Sequence, residues 1–310
     1  MALALIAGKE ALPDYPHRFA PKVFTQPQLF ACLVLKVFLG LDYRGVEQLL
    51  RDFPGIGEVI GLSRVPDHST LHKAAQRFLG VAPTDRLLAA TIRLVLGRRK
   101  QVRRAAADST GLESAHRSPY FVRRKQRGQK GEKNPLFQAT SYTRFPKLTL
   151  LIDCRTQAAL ALLTGRGPRP DVDELDPLLA RLPRSVTLIK LLADAGFDSE
   201  PNHTLCRDGH GIVSVMPAKI GRPSKGGKPP SGYWRRRMKR LLRTKRKRKR
   251  CGYTQRAQAE TGNSMIKRNL TDELTSRSYH AQNRELRLIV LVHNLMILIF
   301  GEVFDRAGQS

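Results

Sequence analysis

Tyr253, Arg256, Glu260 and Lys267 follow one another at intervals of three, four and seven residues. These intervals approximate whole helical turns, so on one helix the four side chains share a face. Glu260 is also the first carboxylate after Asp208, and the intervening stretch is crowded with Lys and Arg. A lone acid on a basic face suits metal-assisted cutting of a phosphodiester. The carboxylate holds a divalent cation while the surrounding positive charge holds the phosphate backbone.

That chemistry requires further carboxylates at defined places. Asp108 ends a strand predicted over 102–108 and is followed by Ser109, Thr110 and Gly111. Asp194 ends a strand predicted over 186–194 and is followed by Ala195, Gly196 and Phe197. A carboxylate at the end of a strand, before a turn of small residues, can point into a crevice where metal and substrate meet. Taken singly, each reads more readily as a turn or cap Asp; two of them together with Glu260 favour a site. Other acids compete. Asp153 sits before Arg155, Thr156 and Gln157, which favours a hairpin turn. Asp171, Asp173 and Glu174 form an acidic cluster whose position before Leu175, Leu178 and Leu179 favours helix capping. Asp198 lies one turn beyond Asp194 and can act from behind it. His68 and His72 have helical spacing but read as surface or DNA-facing residues.

The pattern Tyr253-x2-Arg256-x3-Glu260-x6-Lys267, with the Asp108-Ser109-Thr110 and Asp194-Ala195-Gly196-Phe197 surroundings, resembles the signature of DDE transposases of prokaryotic insertion sequences. The likeness is to the insertion-sequence-four superfamily and its insertion-sequence-five-like group. It implies an α/β fold: a ribonuclease H-like mixed sheet flanked by helices, with an N-terminal helical, helix-turn-helix-like DNA-binding unit. By resemblance, Asp108, Asp194 and Glu260 are both catalytic and metal-binding. They would hold two Mg2+ ions, with Mn2+ as a substitute, about 4 Å apart. Tyr253, Arg256 and Lys267 would contact transposon-end DNA, Arg256 as a bidentate phosphate ligand and Lys267 as a point charge. The implied activity is DNA transposition: binding of terminal inverted repeats, cleavage and strand transfer, by a homodimer in a synaptic complex. The implied location is the prokaryotic cytoplasm, in association with the nucleoid. A structure-specific nuclease with the same core and a non-catalytic DNA-binding derivative are the alternatives.

Composition agrees with a nucleic-acid partner. The chain has 310 residues, 41% of them hydrophobic, and a formal net charge of +29 from 55 basic and 26 acidic residues. Such an excess predicts a polyanionic partner, DNA before an anionic membrane surface. The apolar N-terminus lacks the basic region and cleavage site of a signal peptide. The apolar run 286–300 is interrupted by Arg287, His293 and Asn294, so it predicts a core helix instead of a membrane span. Cys32, Cys154, Cys206 and Cys251 form no Cys-x-x-Cys pair, which points to a reducing compartment with neither disulfide framework nor zinc finger.

The supporting elements follow from periodicity and caps. An arm over 1–23 precedes a helical DNA-binding domain over 24–97, and a catalytic domain over 98–310 carries a basic insertion at 217–252. Thr25 and Pro27 start one helix, Asp42 starts a second that Pro54 and Gly55 break, and Asp67 starts a third. The third presents Lys73 and Arg77 outward; pattern alone reads it equally as a recognition helix and as a cap, and the basic surplus favours DNA. A connector helix covers 86–96. Strands are predicted at 147–152, 158–163 and 212–216, with helices at 172–182, 254–270 and 282–300. The segment 114–134 reads as a polar loop near DNA. Residues 219–250, including Arg235, Arg236, Arg240, Lys245 and Arg248, read as a DNA-binding run that stays solvated or disordered until it meets its partner. Tyr233 and Trp234 either stack on bases or pack. No strand pattern fills 217–252, so neither a large β-rich insertion nor a DNA-hairpin step is carried over.

Overall fold

Small residues at helical spacing open the chain: Ala4, Ala7, Gly8 and Ala11 line the buried side of α1 (Ala2–Ala11), which packs on α2 (Gln26–Phe38). The computed structural model describes residues 1–115, 145–219 and 230–307. A Cβ on Gly8 would stand 2.9 Å from the Pro27 backbone, so this approach requires glycine. The expected arm over 1–23 therefore contains a docked helix, one that lacks the side-chain cap by which sequence marks helix starts. Thr25 and Gln28 form a reciprocal capping box at the start of α2. Asp42 caps α3 (Tyr43–Asp52), accepting from the Gly45 amide at 2.6 Å. Pro54 stops that helix but begins another turn, α4 (Pro54–Glu58), because a proline at a first helical position forfeits no hydrogen bond. Asp67 caps α5 (His68–Phe78), and α6 (Val81–Leu96) starts five residues earlier than 86 and stops at Gly97, whose φ is +56°.

A short strand β1 (Gln101–Val102) leads into β2 (Ala105–Gly111) and β3 (Glu113–Ser114). Beyond the undescribed 116–144, which hold most of the expected polar loop, come β4 (Phe145–Asp153) and β5 (Ala159–Gly167). These two form the predicted antiparallel hairpin around Asp153, which accepts from the Arg155 amide and the Thr156 hydroxyl. The expected helix over 172–182 is shorter, a 3-10 turn followed by α7 (Leu175–Leu179). Asp171 and Asp173 do not cap it; Asp171 instead pairs at 2.6 Å with the nearly buried Lys147 ammonium. The expected strand over 186–194 divides into β6 (Thr187–Leu188), paired with β1, and β7 (Lys190–Ala193). Helix α8 (Glu200–Thr204) precedes β8 (Val213–Val215).

The central sheet has the order β5-β4-β2-β7-β8, a mixed sheet. β4 runs antiparallel to both of its neighbours, β2 and β5, whereas β7 runs parallel to β2 and β8 parallel to β7. Alternation along β2 divides its alanines between two cores. Ala105 and Ala107 join a large cluster with the N-terminal helices and the long C-terminal α12 (Tyr279–Ala307). Ala106 faces the other way, with Leu192 and Val215, into a smaller cluster. Helices thus flank both faces. The proposed boundary at 97/98 falls on a turn, yet one continuous core joins the N-terminal helices to the sheet. The α12 side chain Asn294 ties them further, donating to Thr91 at 3.2 Å and bonding the Ala159 backbone through both its oxygen and its nitrogen.

The basic run is folded. It forms α9 (Tyr233–Leu241) and α10 (Lys245–Cys251), followed by a 3-10 turn (Tyr253–Arg256), α11 (Ala257–Asn269) and β9 (Glu273–Leu274). Charge runs alone read as solvated, but Met238 and Leu242 supply apolar anchors that bury against Ala106, Leu192 and Ala259. Residues 220–229 lie outside the described structure. Among the described residues, no helix is long and apolar enough to cross a membrane.

Candidate active site

Asp108 is not the last residue of its strand, because β4 keeps pairing with β2 as far as Gly111. On the other side of β2, pairing to β7 ends at Ala107 opposite Ala193. Asp108 and Asp194 are the next residues along two parallel neighbours, at the level where β7 leaves the sheet. Strand alternation puts Asp108 on the Ala106 face and Asp194 on the Leu192 face, which is the same face. Burial raises the Asp108 carboxyl above its ordinary value, and the Asp194 charge pushes in the same direction; the Ser109 amide, Asn263 and Arg256 partly oppose this. Asp194 caps the turn Ala195–Phe197, one oxygen accepting from the Gly196 amide at 2.7 Å.

Helix α11 covers this face. Its Ala259 is buried in the smaller core, and a Cβ on Gly262 would collide with Ile152 of β4, so the helix lies as close to the sheet as glycine allows. The close seating brings Asn263 to Asp108: its side-chain amide donates to the Asp108 carboxylate at 3.0 Å. Asn263 is 6% exposed and its own oxygen has no partner, so the bond to Asp108 is the one hydrogen bond its side chain makes among the described residues. Sequence reasoning missed this residue. Its signal was position, one helical turn beyond Glu260 on a face with Gly262 and Ala259.

Glu260 lies in the first turn of α11 and is largely exposed, its side chain at 56%. It pairs with Arg256, four residues before it. The expected single helix over 254–270 is a 3-10 turn joined to α11, so Tyr253 and Arg256 precede the helix proper. Arg256 still reaches Glu260, and Tyr253 is half-buried, its hydroxyl pKa raised by burial. Lys267 lies two turns further along α11, half-buried. The three candidate acids do not converge on one point. Among the described residues, the group of ligand-bearing side chains whose atoms lie within 4.8 Å of one another is Glu47, Asp67 and His68, in the N-terminal helices. Local structure accounts for that group: Glu47 accepts from both the His68 amide and its ring nitrogen at 2.8 Å, and Asp67 caps α5.

The competing acids have other partners. Asp153 is buried against Arg99 at 2.6 Å. Asp171 and Glu174 share the Lys147 ammonium. Asp198 accepts from Arg235 at 2.8 Å and from the Lys219 amide at 2.8 Å, while Glu200 accepts from the Trp234 and Arg235 amides at the start of α9. Arg235 is therefore committed to Asp198, and Arg248 donates to the Leu242 carbonyl at 2.8 Å. Arg236, Arg240 and Lys245 are exposed, as are Lys73 and Arg77, one turn apart on α5. Trp234 packs: Arg207 lies over its ring at 4.1 Å and Tyr233 meets it edge-on at 4.8 Å.

Residues 100–295 match the Transposase DDE domain family, a span that contains Asp108, Asp194 and Glu260. The chain belongs to this family. It is a DDE-type transposase. Among solved structures, it is similar to the piggyBac transposase in a synaptic complex with hairpin DNA, determined by cryo-electron microscopy. The TM-score is 0.46 at 10% identity, covering 99% of this chain and 73% of that one, a likeness too distant to bear on activity or partners. No curated protein gives a significant sequence match.

Proposed function

We propose that this DDE transposase carries out DNA transposition: it binds terminal inverted repeats, cleaves DNA at their ends and joins those ends to a target. The observation that carries this reading is the placement of Asp108 and Asp194 just beyond the last paired residues of two adjacent parallel strands, on one face, with the Glu260 helix hydrogen-bonded to Asp108 through Asn263. The strand order supports a ribonuclease H-like core, three antiparallel strands followed by two parallel ones. The helix-turn-helix-like reading of the N-terminal unit rests on the exposed Lys73 and Arg77 of α5, packed beside α2 and α3. Its insertion-sequence-four, insertion-sequence-five-like grouping, prokaryotic cytoplasmic location and homodimeric synapse remain part of the same proposal.

The donor set fits hard divalent cations such as Mg2+ or Mn2+. Asp108 and Asp194 follow the last paired residues of two neighbouring strands, on one face, and one Asp194 oxygen lacks a protein donor among the described residues. These two acids, joined by Glu260, would hold the ions. When bound, two such ions would offset charge on the attacking and leaving oxygens of an in-line displacement. Around them, Asn263 fixes the Asp108 carboxylate, and Arg256 and Lys267 hold phosphate oxygens by charge-assisted hydrogen bonds. A DNA phosphate that takes the Arg256 guanidinium would release Glu260 from its present partner toward Asp108 and Asp194.

The test incubates the purified protein with a labelled duplex carrying the element's terminal repeat and a plasmid target, in Mg2+ or EDTA, alongside Glu260→Ala. Cleavage and joining that disappear with EDTA and with the variant are expected. Cutting without joining would establish a nuclease instead, and salt-sensitive binding without cutting a DNA-binding derivative.

A further inference from the structure

A cleft of about 560 Å3 opens beside the Tyr253–Arg256 turn, and no catalytic role assigned above uses it. Four arginines line it: Arg99, Arg103, Arg104 and Arg155. One carboxylate, Asp153, lies within, already bonded to Arg99, the Arg155 amide and Thr156. Two guanidiniums are fixed in advance. Arg99 is held by Asp153, and Arg104 donates to Gln255 at 2.9 Å while lying against Gly252, where a Cβ would stand 3.0 Å from it. Arg103 and Arg155 are exposed and have no carboxylate partner among the described residues. The cleft thus sets four guanidiniums against one carboxylate, two of the four held in advance, in forks that suit a tetrahedral oxyanion.

Its position indicates the occupant. Arg104 precedes β2 and shares the parity of Ala106 and Asp108, so it points to the same side of the sheet. Four residues along a strand separate Arg104 from Asp108, roughly 13 Å. Gln255, which orients Arg104, belongs to the same turn as Tyr253 and Arg256. A nucleic-acid strand with one phosphate at Asp108 and the next held by Arg256 would run on into the cleft. We propose that the cleft holds a backbone phosphodiester of that DNA strand, a few nucleotides from the scissile bond. This rests on the DNA-cutting reading of the Asp108 face.

The test measures binding in EDTA, so that it does not depend on cutting. A terminal-repeat duplex is made with single methylphosphonate linkages, each neutralising one phosphate, and is bound to the wild type, R103Q/R155Q and R103K/R155K. At one linkage near the cleavage point the wild type should lose affinity about tenfold. R103Q/R155Q should lose as much on unmodified DNA, show no further loss at that linkage, and melt at the wild-type temperature. R103K/R155K should regain most of the affinity. Equal added losses at every linkage, or wild-type affinity in R103Q/R155Q, would overturn the proposal. So would inorganic pyrophosphate bound tightly through Arg103 and Arg155 with no coupling to any linkage, which would mark a free-anion site. Wild-type cutting in Mg2+ is scored separately: its failure would remove the catalytic reading and leave the linkage result to decide the cleft.

Discussion

Asn263 donates to Asp108 across 3.0 Å, joining residues 155 positions apart, and so fixes the Glu260 helix against the strand of the first acid. The bond positions a carboxylate; it does not touch the reacting phosphate. Asn263→Ala should therefore lower cleavage about 10–100-fold, the usual effect of losing a group that orients a metal ligand. It should also raise the Mg2+ concentration for half-maximal cleavage while leaving DNA affinity in EDTA unchanged. An unchanged Mg2+ dependence would show that the bond only stabilises the fold.

Gly262 sets how closely α11 approaches the sheet. A methyl group there meets Ile152, itself fully buried on β4. Gly262→Ala should destabilise the protein by about 1–3 kcal/mol through overpacking. Ile152→Val, which shortens the opposing side chain, should be less harmful in the Gly262→Ala background than alone. Thermal melts of the two single variants and the double variant measure this coupling, and strict additivity would place the helix farther from the strand.

Helix α9 is held to the body by two acids. Burial pushes the Asp198 carboxyl up, but the His203 ring, the Lys219 amide and Arg235 together bring it below its ordinary value. Glu200 is likewise lowered: burial is outweighed by the amides of Trp234 and Arg235. A carboxylate with a depressed folded pKa stabilises fully above its unfolded value, about 4, and loses that contribution as pH falls through the folded value. The docking of α9 should be intact at pH 6 and weaken progressively below about pH 4. The single tryptophan, Trp234, reports on it by fluorescence. Asp198→Ala, which strands Arg235, should cost roughly 3 kcal/mol and release Trp234 already at neutral pH. Wild-type-like emission from that variant would show that Glu200 and the apolar anchors suffice.

Burial pushes the thiols of Cys32, Cys154 and Cys206 up to about 12. The thiolate is the reactive form, so these three should resist iodoacetamide at pH 7.5 in the folded protein. Cys251, the last residue of α10, should be labelled first. Mass spectrometry of peptides after brief alkylation reads the order, and early labelling of Cys154 would mean that the Tyr253–Arg256 turn opens readily.

Local chemistry made much of this protein legible in its sequence. Thr25, Asp42 and Asp67 mark three helix starts because a cap is a bond between near neighbours. The β4–β5 hairpin is short-range as well, whereas the Arg256–Glu260 pair departs from the sequence reading of Arg256 as a phosphate ligand. The sequence also determined the three candidate acids and the overwhelming positive charge. Tertiary structure alone decided that Asp108 and Asp194 share a sheet face and that Glu260 turns to Arg256 instead of joining them. Strand β2 continues past Asp108 because β4 supplies partners that β7 does not. The basic run folds because Met238 and Leu242 find a surface made by β2, β7 and α11. Asp198 and Glu200 bind α9, and Asn263 binds Asp108, through contacts between residues 34 to 155 positions apart. Periodicity and capping report only what lies within a turn or two of chain. Which buried polar group meets which depends on how distant surfaces pack, and for the Asp108 face that was set by a glycine close enough to the sheet to bring the next residue's amide within reach.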